Sequence, residues 1–194
     1  IDGSRAGDTT VTYDKGGWVF TMLQHLMGRE ANLAGLQSFI RHYDGAPDHP
    51  VLQDFIAHLR PFAPDAAAYD AFVKQWFHEV VVPEYRLSEV RREKTAAGDS
   101  WNVSAKVKNA GAGTMPVEIA ALRGERFLEQ TEEETIREAA KESPDFRRSG
   151  KTVTLAAGEE AVVELTCDFE PDRIVVDPDA RVLMLLRKNA VQKF

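Results

Sequence analysis

Apolar residues recur every three or four positions from residue 14 to residue 78, the spacing that places them on one face of a helix. The pattern predicts four helices, separated by segments rich in glycine, proline and aspartate. The predicted inward positions are, helix by helix, Trp18, Val19, Met22, Leu23 and Leu26; Leu33, Leu36, Phe39, Ile40 and Tyr43; Val51, Phe55, Ile56 and Leu59; and Tyr69, Phe72, Val73 and Trp76. This part of the chain is therefore predicted to be a short helical array.

Local signals set the predicted helix ends. Gly28 is expected to stop the first helix, and the segment "DGAPDHP" to end the second. Asp48 is a good N-cap for the third helix, with Pro50 in its first turn. The fourth helix is predicted to run from Ala66 to His78.

After Pro83 the period changes to two, which indicates half-buried strands. Counting the segment from Tyr85 to Glu93, the alternation predicts about seven strands at the spacing of a two-sheet, immunoglobulin-like sandwich. Two hairpins are expected, one joined by residues 109–113 and one turning at Gly158, and two more strands are expected around a turn at residues 177–179. The alternating inward positions include Trp101, Val103, Ala105 and Val107; Met115, Val117, Ile119 and Ala121; and Val153, Leu155, Val163, Leu165 and Cys167.

The predicted fold class is α+β in two segments. Residues 1–82 form the helical array, and residues 83–194 form the antiparallel β-sandwich. One segment, "EQTEEETIREAAKES" at residues 129–143, has acidic residues at its start and a basic residue towards its end. That arrangement suits a solvated surface helix inserted between strands, because it complements the helix dipole.

Composition excludes some classes of function. The 194 residues are 43% hydrophobic, which is ample for a core, and carry 24 basic against 31 acidic residues for a net charge of -7. An acidic chain disfavours nucleic acid or an anionic membrane surface as a partner. No apolar run approaches the roughly 18 residues that span a bilayer, so no membrane insertion by these residues is expected.

Two further features of the sequence concern its context. Cys167 is the only cysteine, which excludes an internal disulfide, and it is expected to be a small buried hydrophobe. The chain opens with Ile1 and the polar, glycine-containing "IDGSRAGDTT". We interpret it as a piece of a longer polypeptide, so its compartment stays unknown.

The stretch "WFHEVVVPEY" begins like the helical zinc motif H-E-x-x-H. His78 and Glu79 are in place, but Val82 occupies the position of the second histidine and Pro83 stops the helix. No pair of the remaining histidines has helical i, i+4 spacing. We interpret the match as chance and predict no metal site within these residues.

Asp177 and Asp179 flank Pro178 and form the other candidate pair. Paired carboxylates can bind calcium or perform acid and base chemistry. A turn in which aspartate side chains accept hydrogen bonds from backbone N–H groups is the favoured interpretation.

Three stretches, in order along the chain, resemble the gluzincin zinc aminopeptidases, the family of alanyl aminopeptidase N and leukotriene A hydrolase. The first is "VTYDKGGWVFTMLQHLMGREANLAGLQSFIRHY", which is similar to the segment that follows the zinc-binding helices in that family. Its Tyr-x-Lys-Gly element is Tyr13, Asp14, Lys15 and Gly16. "FVKQWFHEVVVPEY" resembles the family's exit from the catalytic domain, and "IVVDPDARVLM" resembles the end of the β-sandwich in bacterial members.

The resemblance implies a role for Tyr13. In the family this tyrosine donates a hydrogen bond to the oxyanion that forms when zinc-bound water attacks the scissile carbonyl. Packing at a helix N-terminus is the alternative role. The resemblance also places the zinc motif, its distal glutamate and the element that binds the substrate's amino terminus before Ile1. This chain is then the C-terminal portion of such an enzyme, with residues 1–82 closing the catalytic domain, and by itself it binds no zinc and hydrolyses nothing.

Partners follow from the same resemblance. They are the upstream catalytic half and, in the full-length protein, a peptide substrate with zinc as cofactor. Self-association through exposed apolar helices is also expected, because the stripes at Trp18, Met22 and Phe39 would have lost their cover. The alternative function is a non-catalytic interaction module derived from a peptidase, which holds a partner through the sandwich or a strand edge. A membrane-tethered bacterial parent, as in transporter permeases with a peptidase-like domain, stays open.

Overall fold

The structure is a computed structural model that describes residues 13, 15–47, 49–96, 98–130 and 139–194. The chain forms two compact units. One contains Ile1–Val81 with Arg181–Leu183, and the other contains Val82–Ala180 with Met184–Phe194. The first unit is helical and the second consists of two antiparallel sheets, which confirms the predicted α+β class.

The first two predicted helices are confirmed. Helix α1 (Gly16–Met27) and helix α2 (Arg29–Tyr43) are separated by Gly28. The backbone φ of Gly28 is 80°, in a region that residues with a Cβ atom rarely adopt. Glycine therefore ends α1 and lets α2 start in a new direction.

The third helix starts later than predicted. Helix α3 (Leu52–Leu59) has Val51 as its N-cap. The side-chain carboxylate of Asp54 accepts a hydrogen bond from the Val51 backbone N–H at 2.9 Å, so the cap comes from inside the first turn. Pro50 precedes the helix, and Asp48 lies outside the described residues.

The fourth helix is confirmed over its predicted length. A short 3-10 turn (Arg60–Phe62) leads to helix α4 (Ala66–Val73), which continues as a π-helical turn (Lys74–His78). The Asp65 carboxylate caps α4 by accepting from the Ala68 N–H at 3.0 Å.

The core of the helical unit follows the predicted stripes in part. Its buried apolar side chains in the four helices and the π-helical turn are Val19, Met22, Leu23, Met27, Leu59, Tyr69, Phe72, Val73 and Trp76. A Cβ atom on Gly35 would lie 3.3 Å from Leu59 Cγ, so the glycine lets α2 approach α3 closely. The prediction that Leu33, Ile40 and Val51 point inward is wrong, since all three are exposed.

The expectation that the stripe at Met22 lacks cover is also wrong. Met22 is fully buried, and its sulfur accepts a hydrogen bond from the Leu183 N–H at 3.4 Å. The exposed apolar side chains of α1 and α2 are instead Phe20, Leu33 and Ile40. Self-association through such residues stays a prediction.

Seven strands form two sheets in the described part of the sandwich unit, as predicted. They are β1 (Tyr85–Lys94), β2 (Trp101–Asn109), β3 (Pro116–Arg123), β4 (Arg147–Thr154), β5 (Glu160–Cys167), β6 (Arg173–Val176) and β7 (Val191–Lys193). One sheet has the order β1-β2-β5 and the other has the order β4-β3-β6-β7. Cys167 is buried at the end of β5, as expected.

Both predicted hairpins are wrong. Strands β2 and β3 lie in different sheets, and so do β4 and β5. β2 pairs with β1 and β5, whereas β3 pairs with β4 and β6. A period of two shows which residues face the core, but it does not show which strand is the neighbour. The connections at residues 110–115 and 155–159 therefore cross from one sheet to the other.

The C-terminal segment also differs from prediction. The turn after β6 is confirmed, with the Ala180 N–H donating to the Asp177 carbonyl oxygen at 3.1 Å. The segment 181–186 is not a strand, and Ala180 and Leu186, on either side of it, have positive φ values that interrupt extended backbone. The last strand is instead β7, which the alternation did not indicate.

The predicted surface helix at 129–143 falls mostly outside the described residues. Its described ends, 129–130 and 139–143, are not helical. The Leu128 N–H donates to the Lys141 carbonyl oxygen at 3.0 Å, and the Ser143 N–H donates to that of Arg126 at 2.7 Å. These two arms form a short antiparallel bridge. Among the described helices, none has the length and apolar character needed to cross a bilayer.

Candidate functional site

Tyr13 stands at the start of the helical unit. Its side chain is 74% exposed. Lys15, the N-cap of α1, already has helical dihedral angles, and no side chain caps the helix there. The phenol of Tyr13 has no hydrogen-bond partner in the part of the chain that the structure describes. It is therefore open to a group from outside these residues.

The glycines after Tyr13 leave this helix start uncovered. Cβ atoms added to Gly16 and Gly17 would meet no atom within 4 Å. Glycine in the first turn of a helix costs up to about 1 kcal/mol relative to alanine. No described contact offsets that cost, so the two glycines keep the backbone accessible next to Tyr13.

The H-E-x-x-H-like stretch does not form a helical motif. The π-helical turn ends at His78, and Glu79 has extended backbone with a ψ of 160°. Glu79 is paired with Lys74 across 3.8 Å. Within the described ranges, no group of three or more histidine, cysteine, aspartate or glutamate side chains is arranged to hold a metal ion.

The carboxylates of the turn after β6 pair with arginines. Asp177 accepts hydrogen bonds from Arg187 at 3.1 Å. Asp179 accepts from Arg148 at 2.9 Å and from Arg126 at 2.5 Å. The turn motif predicted backbone donors and did not predict these arginine side chains. Sequence reasoning missed them because the three arginines lie on other segments of the chain.

Arg148 is the centre of this network. Its guanidinium also binds the Glu118 carboxylate through two hydrogen bonds, one of them 2.8 Å long. Hydrogen bonding to Glu118 is the main cause that raises the pKa of Arg148 above its ordinary value. Arg148, Glu118 and Asp179 are partly buried, and their contacts tie β3, β4 and the turn after β6 together. Its carboxylates are occupied by these cations and are not arranged as a metal site.

Comparison with known proteins finds a similar fold but no similar sequence. No family model matches the chain, and no curated protein sequence matches it. Among solved structures, the chain is similar to aminopeptidase A from Legionella pneumophila in complex with aspartic acid, with a TM-score of 0.53 and 19% sequence identity. The likeness covers 95% of this chain and 19% of that protein, so the chain spans about a fifth of its length. The chain thus has the fold of part of a solved aminopeptidase.

Two glycosidases are also similar over a smaller part. The GH3 beta-glucosidase of Bifidobacterium adolescentis matches 58% of this chain with 17% of its own, at 18% identity and a TM-score of 0.34. The beta-glucosidase DesR of Streptomyces venezuelae matches 60% of this chain with 15% of its own, at 15% identity and a TM-score of 0.33. Likenesses at this level carry no inference about the chain.

Proposed function

We propose that this chain is part of a zinc-dependent metallopeptidase of the gluzincin aminopeptidase type, which in its full form removes N-terminal residues from peptides. The observation that carries the proposal is the fold likeness to an aminopeptidase over 95% of the chain. The resemblance of the Tyr-x-Lys-Gly element to the family supports the same interpretation, since Gly16 is where α1 begins.

In this proposal Tyr13 acts on the scissile carbonyl. Its phenol donates a hydrogen bond to the oxyanion as negative charge develops on that oxygen. The 74% exposure of the side chain leaves the phenol accessible to a substrate. Loss of one such donor costs roughly 3 to 4 kcal/mol of transition-state stabilisation.

The described residues do not fit a zinc ion, because they bring no three suitable ligands together. Zinc would have to be held by other residues of the full-length protein, and we derive no step through it here. The partners of this chain would be that remaining part and the peptide substrate. The chain by itself is expected to be inactive.

The experiment compares the full-length polypeptide with its Tyr13→Phe variant. We expect kcat to fall by about two to three orders of magnitude, because only the oxyanion donor is removed. Zinc content and thermal unfolding should not change. Tyr43→Phe is the matched control, since it also removes a tyrosine hydroxyl from the helical unit and should keep full activity. Equal activity of the two variants would refute the role of Tyr13, and a full-length protein without zinc or activity would refute the peptidase.

The interaction module stays the alternative prediction, and strand addition at β1 gains no support. Pairing between β1 and β2 is interrupted between Ser88 and Arg91, and Glu89 has a φ of 51°. A bulge and charged side chains at a sheet edge oppose the addition of another strand. A membrane-tethered parent is compatible with either function.

A further inference from the structure

Two histidines on neighbouring helices lie close together in the helical unit. The ring centroids of His42, on α2, and His58, on α3, are 5.3 Å apart, with an angle of 42° between the ring planes. Two imidazoles that share one ion, with metal–nitrogen bonds of about 2.0 Å, have ring centroids about 4.5 to 5 Å apart. The observed separation is slightly wider, and His42 is exposed, so a small rotation of its side chain closes the difference.

The surroundings of His58 hold its ring in place. Its Nε2 atom lies 3.0 Å from the hydroxyl oxygen of Ser38, which is one turn before His42 on α2. The ring also packs edge-on against Phe39 and stacks on Phe62, with centroid distances of 5.6 and 6.2 Å. A metal-binding histidine commonly donates one ring N–H to a second group, which fixes the ring and leaves the other nitrogen to bind the metal. Ser38 has the position to accept that hydrogen bond.

The other ring nitrogens of the pair are free to bind. Nδ1 of His58 and both nitrogens of His42 have no hydrogen-bond partner in the part of the chain that the structure describes, and neither ring belongs to an ion pair there. The net charge of -7 attracts a cation to the chain rather than repelling it. The pair therefore offers two imidazole ligands at a place that solvent reaches through His42.

We propose that His42 and His58 bind one Cu²⁺ ion, with water molecules as its other ligands. Imidazole suits copper, nickel and zinc, and at a given nitrogen site Cu²⁺ has the highest affinity of these ions. A catalytic zinc ion takes three protein ligands, so this two-histidine site is separate from the zinc of the proposed peptidase. The proposal departs from the prediction of no metal site, which considered histidine pairs within one helix, because this pair joins two helices.

The experiment titrates the 194-residue chain with Cu²⁺ at pH 7.5, in a buffer that does not bind copper. Amide signals in the nuclear magnetic resonance spectrum show where the ion binds, because paramagnetic Cu²⁺ broadens the signals of nearby residues. We expect saturable broadening centred on His42 and His58. His42→Gln should weaken the binding by at least about tenfold, since disturbing the surroundings of a metal ligand already costs about 10- to 100-fold in affinity.

Matched variants separate this pair from general copper binding. His25→Gln removes an exposed histidine from α1 and should leave the affinity unchanged. Lowering the pH to 5 should weaken binding to the wild type, because a protonated imidazole cannot bind a metal. Equal affinities of His42→Gln and His25→Gln, or broadening centred on another part of the folded chain, would overturn the proposal. Peptidase activity plays no part in this test, so it can fail while the proposed function stands.

Discussion

The side-chain amide of Asn109 donates a hydrogen bond to the carbonyl oxygen of Leu155 at 3.1 Å, which joins the end of β2 to the residue that follows β4 in the opposite sheet. The same amide nitrogen donates to the Gly113 carbonyl oxygen at 2.8 Å. The side-chain oxygen Oδ1 of Asn109 accepts from the Gly111 N–H at 3.2 Å, and the whole residue is buried. One side chain therefore holds both connections that cross between the sheets.

Replacing Asn109 by alanine should destabilise the sandwich by about 2 to 4 kcal/mol. The change leaves buried backbone groups at Gly113 and Leu155 without their partner, and each unpaired group costs about 1 to 3 kcal/mol. Urea denaturation of wild type and variant measures the difference. Asn102→Ala, at an exposed position of β2, is the control and should change stability by no more than about 0.5 kcal/mol. Equal effects of the two substitutions would contradict this role of Asn109.

Gly111 should not tolerate alanine. Its added Cβ would lie 2.5 Å from the Glu84 backbone nitrogen and 2.6 Å from the Val82 carbonyl oxygen, so backbone would have to move. We expect Gly111→Ala to cost about 2 kcal/mol or more in free energy of unfolding. Gly17→Ala, whose Cβ meets open space in the first turn of α1, should instead stabilise its helix by up to about 1 kcal/mol. Thermal unfolding of both variants checks the opposite signs.

Arg148→Gln should destabilise the sandwich by about 2 kcal/mol. The substitution leaves the partly buried Glu118 carboxylate without this cation, whereas Asp179 keeps its ion pair with Arg126, and an unpaired buried polar group costs about 1 to 3 kcal/mol. Lys106→Gln is the control, because its partner Glu89 is mostly exposed and such pairs contribute about 1 kcal/mol at most. Chemical denaturation of both variants compares the costs. A loss for Arg148→Gln no larger than that of the control would show that solvent already screens the network.

The sandwich should lose stability at alkaline pH through Tyr85. Burial, with the nearby charge of Asp177 as a smaller cause, raises the pKa of Tyr85 from 10.0 to about 12. Because the folded-state pKa is the higher one, the stabilisation is complete below pH 10 and is lost as pH rises from 10 to 12. The loss is roughly 2 to 3 kcal/mol.

Urea midpoints at pH 9 and pH 11 measure this effect. Tyr85→Phe removes the ionisable hydroxyl and should show a smaller loss between the two pH values than wild type. If wild type and variant lose the same amount, the alkaline transition belongs to other groups.

Sequence periodicity predicted the helices and strands better than it predicted which strands pair in the sheets. The stripe at Tyr69, Phe72, Val73 and Trp76 identified a helix and its buried face, because an amphipathic period records burial directly. The start of α3 was missed because the Asp54 carboxylate, inside the first turn of the helix, accepts a hydrogen bond from the Val51 N–H. The helix therefore begins at Leu52 and not after Asp48. Sheet pairing depends on contacts between distant strands, which a local period does not record.

Sequence analysis could identify the candidate catalytic residue but not the ion pairs of the sandwich unit. Tyr13 could be found from the sequence, because a short motif with a family resemblance surrounds it. The ion pair between Arg126 and Asp179 could not, because the two residues are far apart in the sequence and meet only in the folded sandwich unit.

The burial of Cys167 makes its thiol a natural probe of local opening of the sandwich. The thiol is 1% exposed, and burial raises its pKa, so the reactive thiolate is scarce while β5 stays in its sheet. A thiol reagent can then modify the chain only in molecules whose sandwich has opened. The rate of modification at this single position therefore measures how often the β1-β2-β5 sheet opens locally, and no label has to be engineered into the chain.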